Sequence, residues 1–500
     1  MKIFSAQQIR DGDAFTIRQE GISSALLMER AAASCYQWIA AQYHRDTPML
    51  VVCGMGNNGG DGLALTRILL QEGFSARAVV LKHTGQFSPD ATHNFTSLHQ
   101  LAPDEVQILN PGMFVTELPE HILIIDALFG TGLNRPLEGW PAAFVRELNE
   151  LPNEKIAIDI PSGLPADSLP QPGAAVIQAR HTLSFQFWKR SFLHTEAEPF
   201  TGKVHVLDIG LSRTWQEATH SQYHTIDRDT ACAIYRPRKA SGHKGTYGKA
   251  MLIGGSYGKI GAIALSTRAA LHSGAGLVYT QAPSCGYEIL QATQPEAMFL
   301  PAGQKHIDRI EVSTEDSATG IGPGLGQAPE TVKALVAFLE QYDKPLVLDA
   351  DALNILSAKE TYLNLLTAGS ILTPHPKEFT RLFGPSPGSM LQVELGRAKA
   401  MKYNVCIVLK GHHTAVLLPN GECWYNTTGN PGMATGGSGD VLTGILTGLL
   451  AQGYTARDAA LLGVYLHGLA GDLAAATLSE EALIAGDLAE YLGKAFLTLR

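Results

Sequence analysis

Apolar residues along this chain fall into short unbroken runs, separated by longer stretches in which they recur at helical spacing. In the first part the runs are Met49–Cys53, Ala76–Leu81, Ile122–Asp126, Lys155–Ile160, His181–Phe185 and Val204–Asp208. A strand covered on both faces needs apolar side chains at every position, so these runs predict a parallel sheet. The stretches Ala6–Arg18, Ser23–Gln42, Gly62–Gln71 and Pro141–Leu151 predict helices. The second part follows the same grammar. Strands are expected at Ala250–Ile253, Gly276–Tyr279, Ala318–Ile321, Pro345–Leu348, Ser370–Leu372, Val405–Leu409 and Thr414–Leu418. Helices are expected at Gly261–Ser273, Glu330–Leu339, Met390–Tyr403, Asp440–Ala451 and Ala456–Ala476. Strand–helix alternation of this kind predicts two α/β domains. The pattern fades over the polar stretch Ser212–Tyr223, read as a linker, which puts the domains at 1–214 and 223–500.

Composition narrows the class. The 500 residues are 45% apolar and 17% charged, the balance of a well-packed globular chain. A net charge of −9 gives nucleic acid no concentrated basic face to bind. Apolar stretches such as Val441–Leu450 are short and broken by Gly and Thr, so no membrane span is expected. Six scattered cysteines without a Cys-x-x-Cys pair fit a reducing cytoplasm better than a zinc site or a disulfide framework.

The chemistry gathers at strand ends. Val51–Gly62 reads as a strand, then Asn57-Asn58-Gly59-Gly60-Asp61, then a helix. The asparagines bring amide donors and acceptors, the glycines bring bare N–H groups, and Asp61 is expected to cap the helix. Two further strand ends carry acids: Asp126, followed by Gly130-Thr131-Gly132-Leu133-Asn134-Arg135-Pro136, and Asp159, followed by Pro161-Ser162-Gly163. In doubly wound sheets ligands collect at these carboxyl edges.

In the second part Thr435-Gly436-Gly437-Ser438-Gly439-Asp440 runs directly into an apolar helix. Its bare N–H groups and the helix dipole suit a phosphate, and a carboxylate placed there suits taking a proton from an attacking hydroxyl. Lys410-Gly411-His412-His413-Thr414 ends another strand; the lysine either neutralises phosphate or is merely solvated. His375 between two prolines is either held for ligand recognition or an ordinary loop histidine. Asp349 and Asp351 either steer Mg²⁺ on phosphate or cap the next helix.

The first set of motifs resembles the epimerase domain of the NAD(P)H-hydrate repair proteins. The second resembles the ribokinase-like superfamily, within it the ADP-dependent NAD(P)H-hydrate dehydratases: His243-Lys-Gly, Leu348-Asp-Ala-Asp-Ala-Leu, Thr373-Pro-His-Pro-Lys-Glu, Lys410-Gly and Gly436-Gly-Ser-Gly-Asp stand in that family's order. Met55 and Lys377 depart from the usual proline and glycine. The resemblance implies an N-terminal Rossmann-like parallel-sheet domain and a C-terminal ribokinase-like α/β domain. It implies that the first interconverts the R and S forms of hydrated NADH and NADPH, with K⁺ held by Asn58, Asp126 and Ser162. Substrate would lie on Asn57–Asp61, Gly130–Pro136 and Asp159, the last as acid/base. In the second domain Ala262, Gly324, His375 and Asp440 would contact the hydrated nucleotide. Lys410–Thr414 and Gly439 would hold ADP or ATP with Mg²⁺.

Hydroxide is a poor leaving group, so phosphorylating the hydroxyl and expelling phosphate with the ring-nitrogen lone pair would complete a dehydration. The expected partners are therefore small molecules, with no nucleic acid and no membrane, in a cytoplasmic homo-oligomer. Two other readings stay open: a small-molecule kinase leaving a stable phosphate ester, and a nucleotide-binding scaffold without turnover.

Overall fold

The computed structural model describes residues 1–115, 118–133, 135–311 and 317–500. The chain divides into two compact units, Lys2–Ser221 and Gln222–Arg500 with Met1.

The first unit is a seven-stranded sheet in the order Val106–Leu109, Ala76–Leu81, Met49–Cys53, Leu123–Ala127, Lys155–Ile158, His181–Phe185, Lys203–Leu207. Every pairing is parallel. The chain winds outward in both directions from the pair Met49–Cys53 and Leu123–Ala127, so the switch point falls between them. The apolar runs are buried because helices cover both faces: Val51 and Ile125 pack on one side, Val52 and Ile124 on the other. Helix Asn57–Gln71 lies so tightly on the sheet that a Cβ at Gly59 would stand 1.9 Å from the Gly54 carbonyl oxygen.

Three expectations need correction here. Ser212–Tyr223 is not an open linker: Ser212 caps a short helix, Arg213–Ala218, and Trp215 is 8% exposed with its ring against Gly12 and Phe4. Asp61 does not cap its helix, which starts four residues earlier behind Gly56. The half-exposed edge strand Val106–Leu109 and the helix Pro89–Leu101 carry too weak an apolar pattern to be foreseen.

The second unit's own strands run Tyr223–Ile226, Cys423–Asn426, Ala415–Leu417, Cys406–Leu409, Ile371–Leu372, Leu346–Leu348, Ser317–Ile321, Lys249–Ile253, Leu277–Ala282, Met298–Pro301. The pairings of Ala415–Leu417 with its two neighbours are antiparallel; the rest of this series is parallel. The order reverses between Ser317–Ile321 and Lys249–Ile253. Helices Ile260–His272 and Ser438–Ala451 pack closely together beside it. Gly444 permits this, since a Cβ there would stand 2.1 Å from the Ser266 carbonyl oxygen. Helix Ala456–Leu478 is long and apolar enough to cross a membrane by length and composition, a candidate the sequence reading did not single out. Two thirds of its most apolar stretch is buried, however, among Val441, Ile445 and Leu488, so it serves as the core helix of this unit.

Candidate functional sites

At the first unit's switch point a cavity of about 430 Å³ opens at the carboxyl ends of the strands. Three acids line it: Asp61 from the helix start, Asp159 from a strand end, and Asp13 from helix Ala6–Glu20. Asn57, Asn58 and Gly130–Leu133 complete the predicted part of its wall. Asp159 sits at φ 63°, a conformation Asp tolerates better than most residues and one that marks functional positions. Its carboxylate accepts from the Phe185 N–H at 3.1 Å and from Lys189 Nζ at 2.5 Å. Lys189 is only 1% exposed and is also held by Ser184 Oγ at 2.9 Å.

Asp13 and Asp61 have no hydrogen-bond or ion-pair partner among the described residues. Burial, with Asp159 beside it, pushes Asp13 up to about 7 against the opposing pull of Lys189 and Arg10. Burial and the neighbouring acids Asp159, Asp13 and Asp90 hold Asp61 well above the carboxylate range.

Gly59 and Gly60 are not on the cavity wall. Gly60 N–H donates to the Gly56 carbonyl at 3.0 Å, and a Cβ on Gly60 would strike Met28. Both glycines permit close packing, and the Gly60 N–H is already used within the helix. Arg135 and Pro136 also lie off the wall, and Asn134 is outside the described residues.

Behind the wall Asp126 is fully buried. It accepts from Ser162 N–H at 2.8 Å, Ser162 Oγ at 2.6 Å and Leu128 N–H at 3.1 Å. No cationic side chain pairs with it among the described residues, and burial pushes it up to about 6 despite these bonds. The buried Asn58 Nδ2 has no partner, and Gly130 lies against the Asn58 side chain. The Asp126 carboxylate, the Ser162 hydroxyl and the amide oxygen of Asn58 are hard oxygen donors of the kind a monovalent cation takes, whereas the orphaned Asn58 Nδ2 is itself a donor and ligates nothing. The set holds no histidine or thiolate for a softer metal.

In the second unit helix Ser438–Ala451 begins behind Gly437 at φ 99°. Its first turn carries Gly439 and Asp440. Burial, then Asp349, pushes Asp440 up to about 7, with Lys410 pulling the other way. Lys410 is no solvated lysine. Its Nζ meets Asp349 Oδ1 at 2.8 Å and stands 4.0 Å from Glu378. Burial lowers its pKa, but Asp349, Glu378 and Asp440 together raise it further, so it stays charged. Asp349 heads helix Ala350–Ser357 without a side-chain cap bond and instead accepts from Thr443 Oγ1 at 2.9 Å. A Cβ on Gly439 would stand 3.2 Å from Lys410 Nζ, so the anion cradle and the lysine are neighbours.

Ala262 and Gly324 meet across this edge, the former tied to Asp440 through Ser266 Oγ, which donates to the Asp440 carbonyl at 2.7 Å. His375 caps helix Pro376–Phe383, its Nδ1 accepting from the N–H groups of Lys377 and Glu378. Burial, then Lys410, lowers its pKa, so the ring is neutral with its proton on Nε2. Thr414 Oγ1 closes the turn onto the Gly411 carbonyl, and His412 and His413 stack at 4.3 Å.

Sequence reasoning missed Asp13, Lys189 and His467. His467 is partly buried, desolvation pushes it down to about 4, and its Nε2 donates to the Ser438 carbonyl at 3.0 Å, steadying the cradle's first turn.

Comparison with known proteins adds the following. The family model described as NAD(P)H-hydrate dehydratase matches residues 250–494, and that described as YjeF-related protein N-terminus matches residues 24–191. The bifunctional NAD(P)H-hydrate repair enzyme Nnr of Moorella thermoacetica is 35% identical over 98% of this chain and 96% of its own. That of Escherichia coli is 34% identical over 97% and 92%. Among solved structures, the ADP/ATP-dependent NAD(P)H-hydrate dehydratase of Bacillus subtilis, co-crystallised with ATP/Mg²⁺, is 31% identical over 55% of this chain and 99% of its own, with a TM-score of 0.46.

Proposed function

The chain belongs to the bifunctional NAD(P)H-hydrate repair enzymes, and we propose that its two units divide the work by stereochemistry. The second unit dehydrates the S form with ADP or ATP; the first interconverts R and S, so that neither form is stranded.

The observation that carries the dehydratase reading is Asp440 beside the glycine cradle, with a pKa near neutrality. Asp440 takes the proton from the substrate hydroxyl as its oxygen attacks the terminal phosphoryl group. The N–H groups of the helix start and Lys410 spread the transferring charge. Mg²⁺ arrives with the nucleotide's phosphates. The ring-nitrogen lone pair then expels phosphate, the carbon–oxygen bond breaks, and loss of the neighbouring carbon's proton restores the double bond. With ADP the products are AMP, phosphate and the reduced dinucleotide. Neutral His375 offers Nε2–H as an uncharged donor at the substrate edge.

In the first unit Asp159, held by Lys189, is the acid/base for the hydroxyl on the hydrated carbon. K⁺ would be held by Asn58, Asp126 and Ser162, where its charge would offset the buried carboxylate. A cytoplasmic location fits six free thiols.

The test is incubation of S-form hydrate with ADP. Recovery of reduced-nicotinamide absorbance with one phosphate released per turnover is expected. A stable phosphate ester would instead favour a small-molecule kinase.

A further inference from the structure

We propose that Asp13 is a second catalytic residue of the isomerisation, the acid that faces Asp159 across the reacting carbon. The inference rests on the epimerase reading of the first unit.

Interconverting two faces of one carbon asks for two proton-carrying groups, because the hydroxyl leaves from one side and returns on the other. Asp159 supplies one, fixed at the sheet edge by Lys189 and the Phe185 N–H. Asp13 reaches the same cavity from a different element, helix Ala6–Glu20, whose start is fixed by the Ser5–Gln8 capping box. Its carboxyl makes no hydrogen bond or ion pair among the described residues. A half-buried carboxyl with no protein partner, aimed into a ligand-sized cavity, is left for the ligand.

The charged and titratable groups around it are Arg10 on its own helix, Asp61 and His83 on the facing walls, and Asp159 with Lys189 at the sheet edge. Burial first and Asp159 next raise Asp13 to about 7 against the pull of Lys189 and Arg10, a range where an acid both holds and gives up its proton. Burial, then Asp159 and Asp13, raises Asp61 in the same direction.

Asp13 gives its proton to the substrate hydroxyl. The carbon–oxygen bond breaks as the ring-nitrogen lone pair forms a carbon–nitrogen double bond, and water leaves. Water then adds to the opposite face, its proton passes to the Asp159 carboxylate, and the π pair returns to nitrogen. The reverse turnover, or exchange with solvent, restores both acids.

The experiment uses the full-length protein and separated R hydrate, with the uncatalysed rate subtracted. Asp13→Asn should lower kcat for R-to-S conversion on the order of 100-fold or more with KM little changed, and leave dehydration of the S form intact. Wild-type kcat should fall as pH rises through about 7, and that limb should vanish in Asp13→Asn. Asp13→Glu should recover part of the rate. Near-wild-type kcat, or an alkaline limb retained by Asp13→Asn, overturns the proposal. A loss of rate accompanied by a lowered melting temperature and not recovered by Glu also overturns it, as the mark of a structural role. Conversion in ¹⁸O-water without label on the hydrated carbon overturns the written step. If the intact protein does not interconvert R and S at all, the epimerase reading falls first and takes this inference with it.

Discussion

Replacing Asp440 with Asn separates its chemistry from its energetic cost. The amide keeps the size and hydrogen-bonding reach of the carboxyl but cannot accept the hydroxyl proton. Loss of a positioned base lowers turnover by on the order of 100- to 10,000-fold, while ADP, held mainly by backbone donors and Lys410, should bind within a few-fold of wild type. The same change should stabilise the second unit. Asp440 is raised from 3.8 to about 7 by burial and Asp349. Its protonated form is therefore favoured on folding, and that contribution is lost as pH rises through about 7. At about 1.4 kcal/mol per pH unit the ceiling is roughly 4 kcal/mol. Partial solvent screening should reduce it to about 1–2 kcal/mol. At pH 8 the variant should thus melt a few degrees above wild type, and the gap should close as pH falls toward 5. The assays are absorbance recovery from S hydrate with ADP, and thermal melts at both pH values. Turnover within tenfold of wild type would refute the assigned base, and a lower melting temperature at pH 8 would refute the electrostatic account.

Asp159→Asn, which tolerates the backbone at φ 63°, should stop R-to-S conversion while S dehydration continues; simultaneous loss of both would argue against independent sites. Asp159→Ala should also destabilise the first unit by about 3–5 kcal/mol, because buried Lys189 is left without its counter-charge, which denaturant titration would read. Exchanging potassium chloride for choline chloride should lower both the epimerase rate and the melting temperature of the first unit, and Asp126→Asn should abolish that ion dependence. Gly59→Ala, whose Cβ would stand 1.9 Å from a carbonyl oxygen, should cost about 3 kcal/mol by overpacking, seen as a lowered first-unit transition.

Continuous apolar runs were the most readable part of the fold. Met49–Cys53, Ala76–Leu81 and His181–Phe185 have the bounds their composition predicts, since each is sandwiched between helix layers. Val106–Leu109, largely exposed, and Cys423–Asn426, only three apolar residues long before Asn426, carry no such pattern. Glycine-rich motifs pointed to the right strand ends but concealed two different reasons for glycine. Gly437 needs its positive φ, whereas Gly59 and Gly60 are small so that a helix can settle on the sheet and against Met28. Asp13 was illegible because Arg10 and Asp13, three residues apart, look like an ion pair on a solvated helix face. Only chain closure brings its carboxyl over the edge where Asp159 and Lys189 meet. Lys189 likewise reads as an ordinary cation beside Arg190 until burial shows it pinned.

Among the described residues, the cluster around Val51 and Ile125 is built within the first unit and the cluster around Val441 and Leu488 within the second. Injury to the molecule is therefore compartmented. A lesion that melts the first interior would leave a cell able to recycle one epimer of its spoiled coenzyme while the other piled up, draining only as fast as it inverted unaided.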